Sequence, residues 1–375
     1  MNRLLEIDAI RGLAALGIVL FHYASSHQWT GYHPYQYFHY LEECVQVFFI
    51  ISGFVILISI TRLSRSFDFI VGRFARLYPI YLISVITTIL ITNVARIAQP
   101  RTENIYDIIG NFLIFHGLLG EKSVNIVYWT LTLEICFYVI MLLIYRLKLV
   151  KHIDLICGIW AFIVLVDTIK GYTSADVGNL SLVAMNQPNQ LEFVSANQLG
   201  VAAFSNQPLN LVNIVISLKE WIKINFLLLQ GRAVLFIAGI MLYQCKTWGF
   251  SLYRIGIILL CILTKAFDYI PDTPWYSFLF FAFFVIMIYL VITDKLRSLS
   301  IRPLVFLGTI SYSLYLIHLQ VNWLIAPLFA NLPIELSIII KACIAIAVAG
   351  LLTYTIELPA LEFIKSQYKK NLVKG

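Results

Sequence analysis

Apolar residues in this chain come in long runs, one after another from end to end, and that leaves few folds open. We read about ten segments of roughly 17–25 residues, each long enough to cross a hydrocarbon layer about 30 Å thick as a helix. They cover residues 8–27, 44–61, 79–96, 127–145, 153–169, 224–244, 252–268, 275–293, 303–325 and 336–357. Inside lipid no water satisfies an exposed N–H or C=O, so only helices and closed barrels span it. Barrel strands need about 9–11 residues, well short of these runs. The expected fold is all-α, a polytopic membrane helix bundle of about ten transmembrane helices, in one domain over residues 1–375. Only 13% of the residues are charged and 60% are hydrophobic, which excludes an ordinary soluble domain with about 25% charged residues.

Lysine and arginine loops stay on the cytoplasmic side of a membrane. Arg62, Arg65, Arg73 and Arg76 follow the second segment, and Arg146, Lys148 and Lys151 the fourth. Lys295, Arg297 and Arg302 follow the eighth, and Lys365, Lys369, Lys370 and Lys374 close the chain. The loops at 28–43, 269–274 and 326–335 carry none. Both termini are therefore expected in the cytoplasm. The same pattern assigns the net charge of +7 to topology and lipid contact rather than to nucleic acid. Glu6 and Asp8 occupy the place where a cleaved signal peptide is basic, so the first segment is expected to be a permanent span. Cys44, Cys136, Cys157, Cys245, Cys261 and Cys343 lack metal-ligand spacing. They are expected to be small buried hydrophobes, with no disulfide and no metal.

Two stretches break the rhythm of spans and short loops. Residues 97–126 include IYDIIGNFLIFHGLLG, too short to span and expected to lie in or re-enter the outer interface. Residues 170–223 are rich in Asn, Gln and Ser and form a long extracytoplasmic loop, much longer than a typical connection. Its end, IVISLKEWIKI (214–224), has the spacing of a helix lying along a membrane surface.

Ionisable groups cost roughly 2.5–3.5 kcal/mol or more each at a bilayer centre, so where they persist they mark function. In EIDAIRGLAALGIVLFHY (6–23), the step from Arg11 to His22 is three helical turns, about 16 Å, on one stripe with Asp8, Ala15 and Ile18. Measured from the cytoplasmic ends at 1.5 Å per residue, Glu134 lies roughly 18 Å up, Arg232 about 21 Å and His318 roughly 24 Å. Four spans thus present an ionisable group in the outer half. Ser311, Tyr315, His318 and Asn322 form one polar face of the ninth span, and Thr130, Glu134 and Tyr138 stack in the fourth. A carboxylate near an imidazole orients it for general base work. Against this, an intramembrane histidine also serves as a helix-packing hydrogen bonder, and Glu134 with Arg232 as a buried ion pair. Arg73 and Arg76 in RFARLYPIYL (73–82), just before a span starting at Pro79, read either as headgroup anchors or as a phosphate clamp.

These segments together resemble the membrane-bound acyltransferase-3 family. The resemblance is carried by IDAIRGLAALGIVLFHY (7–23), VFFIISGFVI (47–56), RFARLYPIYL (73–82), YWTLTLEICFY (128–138), FIAGIMLY (236–243), LGTISYSLYLIH (307–318) and Glu357-Leu358-Pro359, in family order. The opening motif reads Asp-Ala-Ile-Arg where many members have Asp-Gly-Leu-Arg, and 170–223 matches no family pattern. The resemblance implies an integral-membrane enzyme of a bacterial inner (plasma) membrane that O-acylates surface or lipid-linked glycans, such as lipopolysaccharide, from cytoplasmic acyl-CoA. Acetyl-CoA is the first expected donor, as a substrate, with no bound cofactor. It makes His22 the essential histidine, with Arg11 in the same motif; as a mechanism, His22 is expected to act as general base or acyl carrier, with Glu134 orienting its ring. It links Arg73 and Arg76 to acyl-CoA and matches Glu134, Trp129, Ser52 and Tyr315 to family segments; Arg11, at the same inner boundary, is expected to join the arginine pair at the donor phosphates. Trp129, Arg232, Tyr315 and His318 are the expected substrate contacts. Two other readings account for the polar stripes. A transporter or flippase also places charges at mid-membrane, although no repeat is visible. A scaffold or receptor would use them for packing alone.

Overall fold

The computed structural model describes residues 4–26, 35–98, 105–114, 123–174, 229–267 and 276–374. Among these residues every regular element is helical. The long helices are α1 (Leu5–Ser25), α2 (Val45–Thr61), α3 (Ser66–Ile89), α4 (Trp129–Arg146), α5 (Ile153–Ser174), α6 (Ala233–Trp248), α7 (Leu252–Ala266), α8 (Ser277–Ile292), α9 (Arg302–Ile325), α10 (Ile334–Leu352) and α11 (Leu358–Lys374). Among the described residues seven helices are long and apolar enough to cross a membrane, and Ala233–Trp248 and Ser277–Ile292 are shorter apolar helices. The expected count of about ten is therefore not established. Of the expected sixth segment, residues 224–228 lie outside the described residues, and a 3-10 turn at Leu229–Gly231 leads into α6; α7 has 15 residues. The surface helix expected at 214–224, and 175–223 with it, lie outside the described residues.

The centre of the bundle is set by two close approaches. α1 packs along α9 through Gly12 and Gly308, where a Cβ on Gly308 would collide with the Asp8 carbonyl oxygen. α2 packs on α6 through Gly53 and Gly239, where a Cβ on Gly239 would collide with the Ile50 carbonyl oxygen. Small residues let membrane helices pack backbone to backbone, where hydrophobic burial offers little drive. α1 and α9 run parallel, since Arg11 reaches Gly308 and Ser311 near one end and Tyr23 reaches His318 near the other.

Three expectations need correction. Pro79 does not begin a span but lies inside α3, which continues through it from Ser66 to Ile89. Membrane helices tolerate such prolines, and close by the Tyr312 hydroxyl donates to the Leu77 carbonyl at 2.7 Å, tying α9 to α3. The last segment does not stop at 357. A π turn at Thr353–Glu357 leads into α11, which packs back on α3, with Tyr368 donating to Asp68 at 2.7 Å. Cys343 is exposed, while the other five cysteines are buried, and all six are free. In the 97–126 stretch a short helix, Ile105–Gly110, leads to Asn111, which is buried and accepts from the Val124 N–H at 3.0 Å.

The basic segment ends gather at one end of the bundle. Tyr145 on α4 donates to Leu63 after α2, and Arg146 donates to Ser66 at the start of α3.

Candidate functional site

Five helices enclose a cavity that begins among the arginines of this basic end. α1 contributes Arg11, α2 Phe48 and Ser52, α3 Arg73 and Arg76, α4 Thr130, Glu134 and Tyr138, and α9 Ser311, Tyr312 and Tyr315. Its volume is about 110 Å³, well below the roughly 300–1,000 Å³ of small-molecule sites. A nucleotide-sized ligand entering it must displace side chains.

The three guanidinium groups are held differently. Arg11 donates through Nε to Ser311 Oγ at 2.9 Å and through Nη2 to the Gly308 carbonyl at 2.8 Å, and it lies 3.9 Å from Asp8. It therefore bolts α1 to α9. Arg73 donates to Ser59 Oγ at 2.6 Å, with its guanidinium over the rings of Phe69 and Tyr138 at 5.4 and 5.5 Å. Arg76 is half-buried, lines the same cavity and makes no hydrogen bond among the described residues. Of the three, its donors are the most available to an anion.

Glu134 sits deeper along the cavity. Its Oε1 accepts from Ser52 Oγ at 3.0 Å and from the Tyr138 hydroxyl in a short bond. One helical turn separates Tyr138 from Glu134, so the stack read from the sequence is in place. The Tyr315 hydroxyl shares a 3.0 Å bond with Thr130 Oγ1 and donates to the Val127 carbonyl at 3.1 Å, closing the cavity on that side.

Beyond Tyr315 lies the histidine pair. The Tyr315 ring is 6.1 Å from that of His318, which is 5.2 Å from the ring of His22. His22 is half-buried and also meets the Phe21 ring at 4.9 Å. His318 is fully buried. Tyr23 donates to the His318 carbonyl at 2.8 Å, and the ammonium of buried Lys341 lies 5.5 Å over the Tyr23 ring.

The structure thus gathers Arg11, Arg73, Arg76, Glu134 and Tyr315 around one cavity and places His22 with His318 at its far side. It does not put Glu134 against His22, because the carboxylate is engaged by Ser52 and Tyr138. Nor does Glu134 pair with Arg232. Arg232 is the N-cap residue of α6, and its guanidinium lies 5.5 Å over the Trp129 ring, apart from the cavity lining. Tyr312 and Lys341 escaped the sequence reading. Tyr312 sits one residue off the polar stripe of α9, so the periodicity that found Tyr315 passed over it. Lys341 did carry a signal, as a lone cation inside an apolar run.

Residues 4–357 match the model of a family described as an acyltransferase domain. No curated protein and no solved structure matches the chain.

Proposed function

The chain belongs to the acyltransferase-3 family and is an integral, multi-pass membrane acyltransferase, and we propose that it moves an acyl group, acetyl in the simplest case, from acyl-CoA at the basic end to a hydroxyl of a surface or lipid-linked glycan. The basic end then faces the cytoplasm of a bacterial inner membrane, with both termini there. The observation that carries this reading is the succession of polar groups along the bundle. Arginines open the cavity, Tyr315 lies between it and His318, and His22 lies beside His318.

In this reading Arg76 and Arg73 hold donor phosphates, since guanidinium forks match phosphate oxygens. His22 is the base. It takes the proton of the acceptor hydroxyl as that oxygen attacks the thioester carbonyl, and the tetrahedral intermediate then expels the CoA thiolate, which receives the proton. Glu134, buttressed by Ser52 and Tyr138, shapes the passage for the acyl chain. Trp129 and Arg232 offer an aromatic face and a cation to the acceptor beside this path.

The test follows label from acetyl-CoA into glycan, with mass analysis of the product. His22→Ala is expected to abolish transfer while melting like the parent protein. Full activity in that variant would remove His22 from the chemistry. Recovery of an acyl-histidine peptide from stalled wild-type enzyme would replace the base with a covalent carrier.

A further inference from the structure

His318 holds a lone pair that the fold leaves unused. Its Nδ1 lies 2.8 Å from the Tyr315 carbonyl oxygen and 3.2 Å from that of Leu314. A carbonyl only accepts, so Nδ1 carries the proton and the neutral ring presents Nε2 as an acceptor. That Nε2 is buried and has no hydrogen-bond partner. An acceptor stranded in this way costs about 1–3 kcal/mol, and native proteins rarely keep one without a reason.

The neighbours of the ring narrow the choice of donor. Tyr23 already donates its hydroxyl to the His318 carbonyl, and the Tyr315 hydroxyl is engaged by Thr130 and Val127. The other ring against His318 is that of His22, at 5.2 Å between centroids. No hydrogen bond from a described residue fixes the His22 ring, and the residue is half-buried. A rotation of its side chain brings a ring nitrogen within the roughly 3 Å of a hydrogen bond to His318 Nε2.

We infer that His318 is the positioning residue for His22. Its Nε2 accepts the N–H of one His22 nitrogen, which leaves the other nitrogen of His22 with a lone pair for the acceptor hydroxyl. This rests on the reading of His22 as the base. When His22 takes the hydroxyl proton, the N–H facing His318 becomes a charge-assisted donor to a neutral ring, and the bond strengthens as the transition state forms. The proton taken by His22 leaves with the thiolate, and His318 keeps its own proton throughout. The Tyr315 and Leu314 carbonyls thereby do for this pair what a carboxylate does in other histidine bases.

The experiment compares wild type, His22→Ala, His318→Leu and His318→Gln in membrane vesicles of the expressing strain, with labelled acetyl-CoA as the probe. In parallel, ¹⁵N-histidine spectra are recorded on each purified protein in micelles. His318→Leu is expected to lower kcat about 100-fold, within the range general base catalysis supplies, with the acetyl-CoA KM unchanged. His318→Gln, whose amide oxygen also accepts, is expected to recover most of that loss. The His22 resonances of wild type are expected to report one tautomer, and those of His318→Leu a mixture. Wild-type kcat in His318→Leu, or His22 resonances unmoved by it, overturns the inference. If wild type transfers no label, the proposed function falls, and the nitrogen spectra still decide the pairing.

Discussion

Arg11 was expected to serve the donor, but its hydrogen bonds make it first a clamp between α1 and α9, and the two roles separate on measurement. Arg11→Met keeps most of the stem and removes the donors to Ser311 and Gly308 at 2.9 and 2.8 Å. In soluble proteins, hydrogen bonds to a charged group are worth about 1.5–3 kcal/mol each, which suggests roughly 3–6 kcal/mol for the two. Interhelical bonds in membranes measure less, averaging about 0.6 and reaching about 1.7 kcal/mol, because the unfolded chain in lipid also finds partners. The membrane scale is the relevant one and gives about 1–3 kcal/mol. Asp8, at the long separation of 3.9 Å, adds at most about 1 kcal/mol. The Gly308 carbonyl keeps a bond from Ser311 at 2.8 Å, which limits the loss. The expected destabilisation is about 1–4 kcal/mol, read by equilibrium unfolding in bicelles. A double-mutant cycle with Ser311→Ala should return a coupling of about 0.5–1.5 kcal/mol. Unfolding unchanged in Arg11→Met, together with a raised acyl-CoA KM, would refute the clamp and return Arg11 to the donor.

Arg76→Ala should raise the acyl-CoA KM by about 10–100-fold, the loss of one charge-assisted contact, while melting like wild type. Arg73→Ala should raise the KM and also lower the melting temperature, because its guanidinium donates to Ser59 and covers Phe69 and Tyr138. Steady-state kinetics with paired melts check both, and an unchanged KM in either variant would contradict the phosphate clamp. Gly239→Val should prevent recovery of folded protein in detergent, since its Cβ meets the backbone of Ile50. Gly256→Val, where nothing lies within 4 Å, should be recovered normally. Equal yields would show that the α2–α6 contact is not what sets the bundle.

What a single helix dictates was legible in the sequence, and what depends on rotation about the bundle axis was not. The 100° arithmetic placed Asp8, Ala15 and Ile18 on one stripe with Arg11 and His22, and the first three are buried. It likewise placed Ser311, Tyr315, His318 and Asn322 together, and all four are buried. Arg232 shows the limit. Height alone gathered it with His22, Glu134 and His318, yet it sits at the N-cap position of α6, over the Trp129 ring and outside the cavity lining. A depth scale has no angular coordinate, so it cannot tell which neighbours a side chain meets. Pro79 misled for a local reason. Proline in a soluble helix marks a boundary, but membrane helices pass through prolines more readily, as α3 does here. The joining of α10 to α11 was hidden because the charged final segment reads as a cytoplasmic tail, while its packing on α3 is tertiary.

The polar groups along the α9 stripe divide into those the fold completes and those it leaves with capacity. Toward the basic end Ser311 is met by Arg11, and next Tyr315 is met by Thr130. On an adjacent face Ser313 donates to Glu357 at 2.7 Å, tying α9 to the π turn. Such satisfied groups fix helix register, as interhelical hydrogen bonds between membrane helices do. Farther along the stripe, His318 Nε2 and Asn322 Oδ1 are buried without partners. If the stripe existed only to hold α9 in place, its outer members would be completed like its inner ones, because a stranded acceptor opposes packing. Rigid pairing at the donor end and spare acceptors at the far end are what an enzyme needs when it grips one substrate by charge and must still orient the base that meets an incoming hydroxyl.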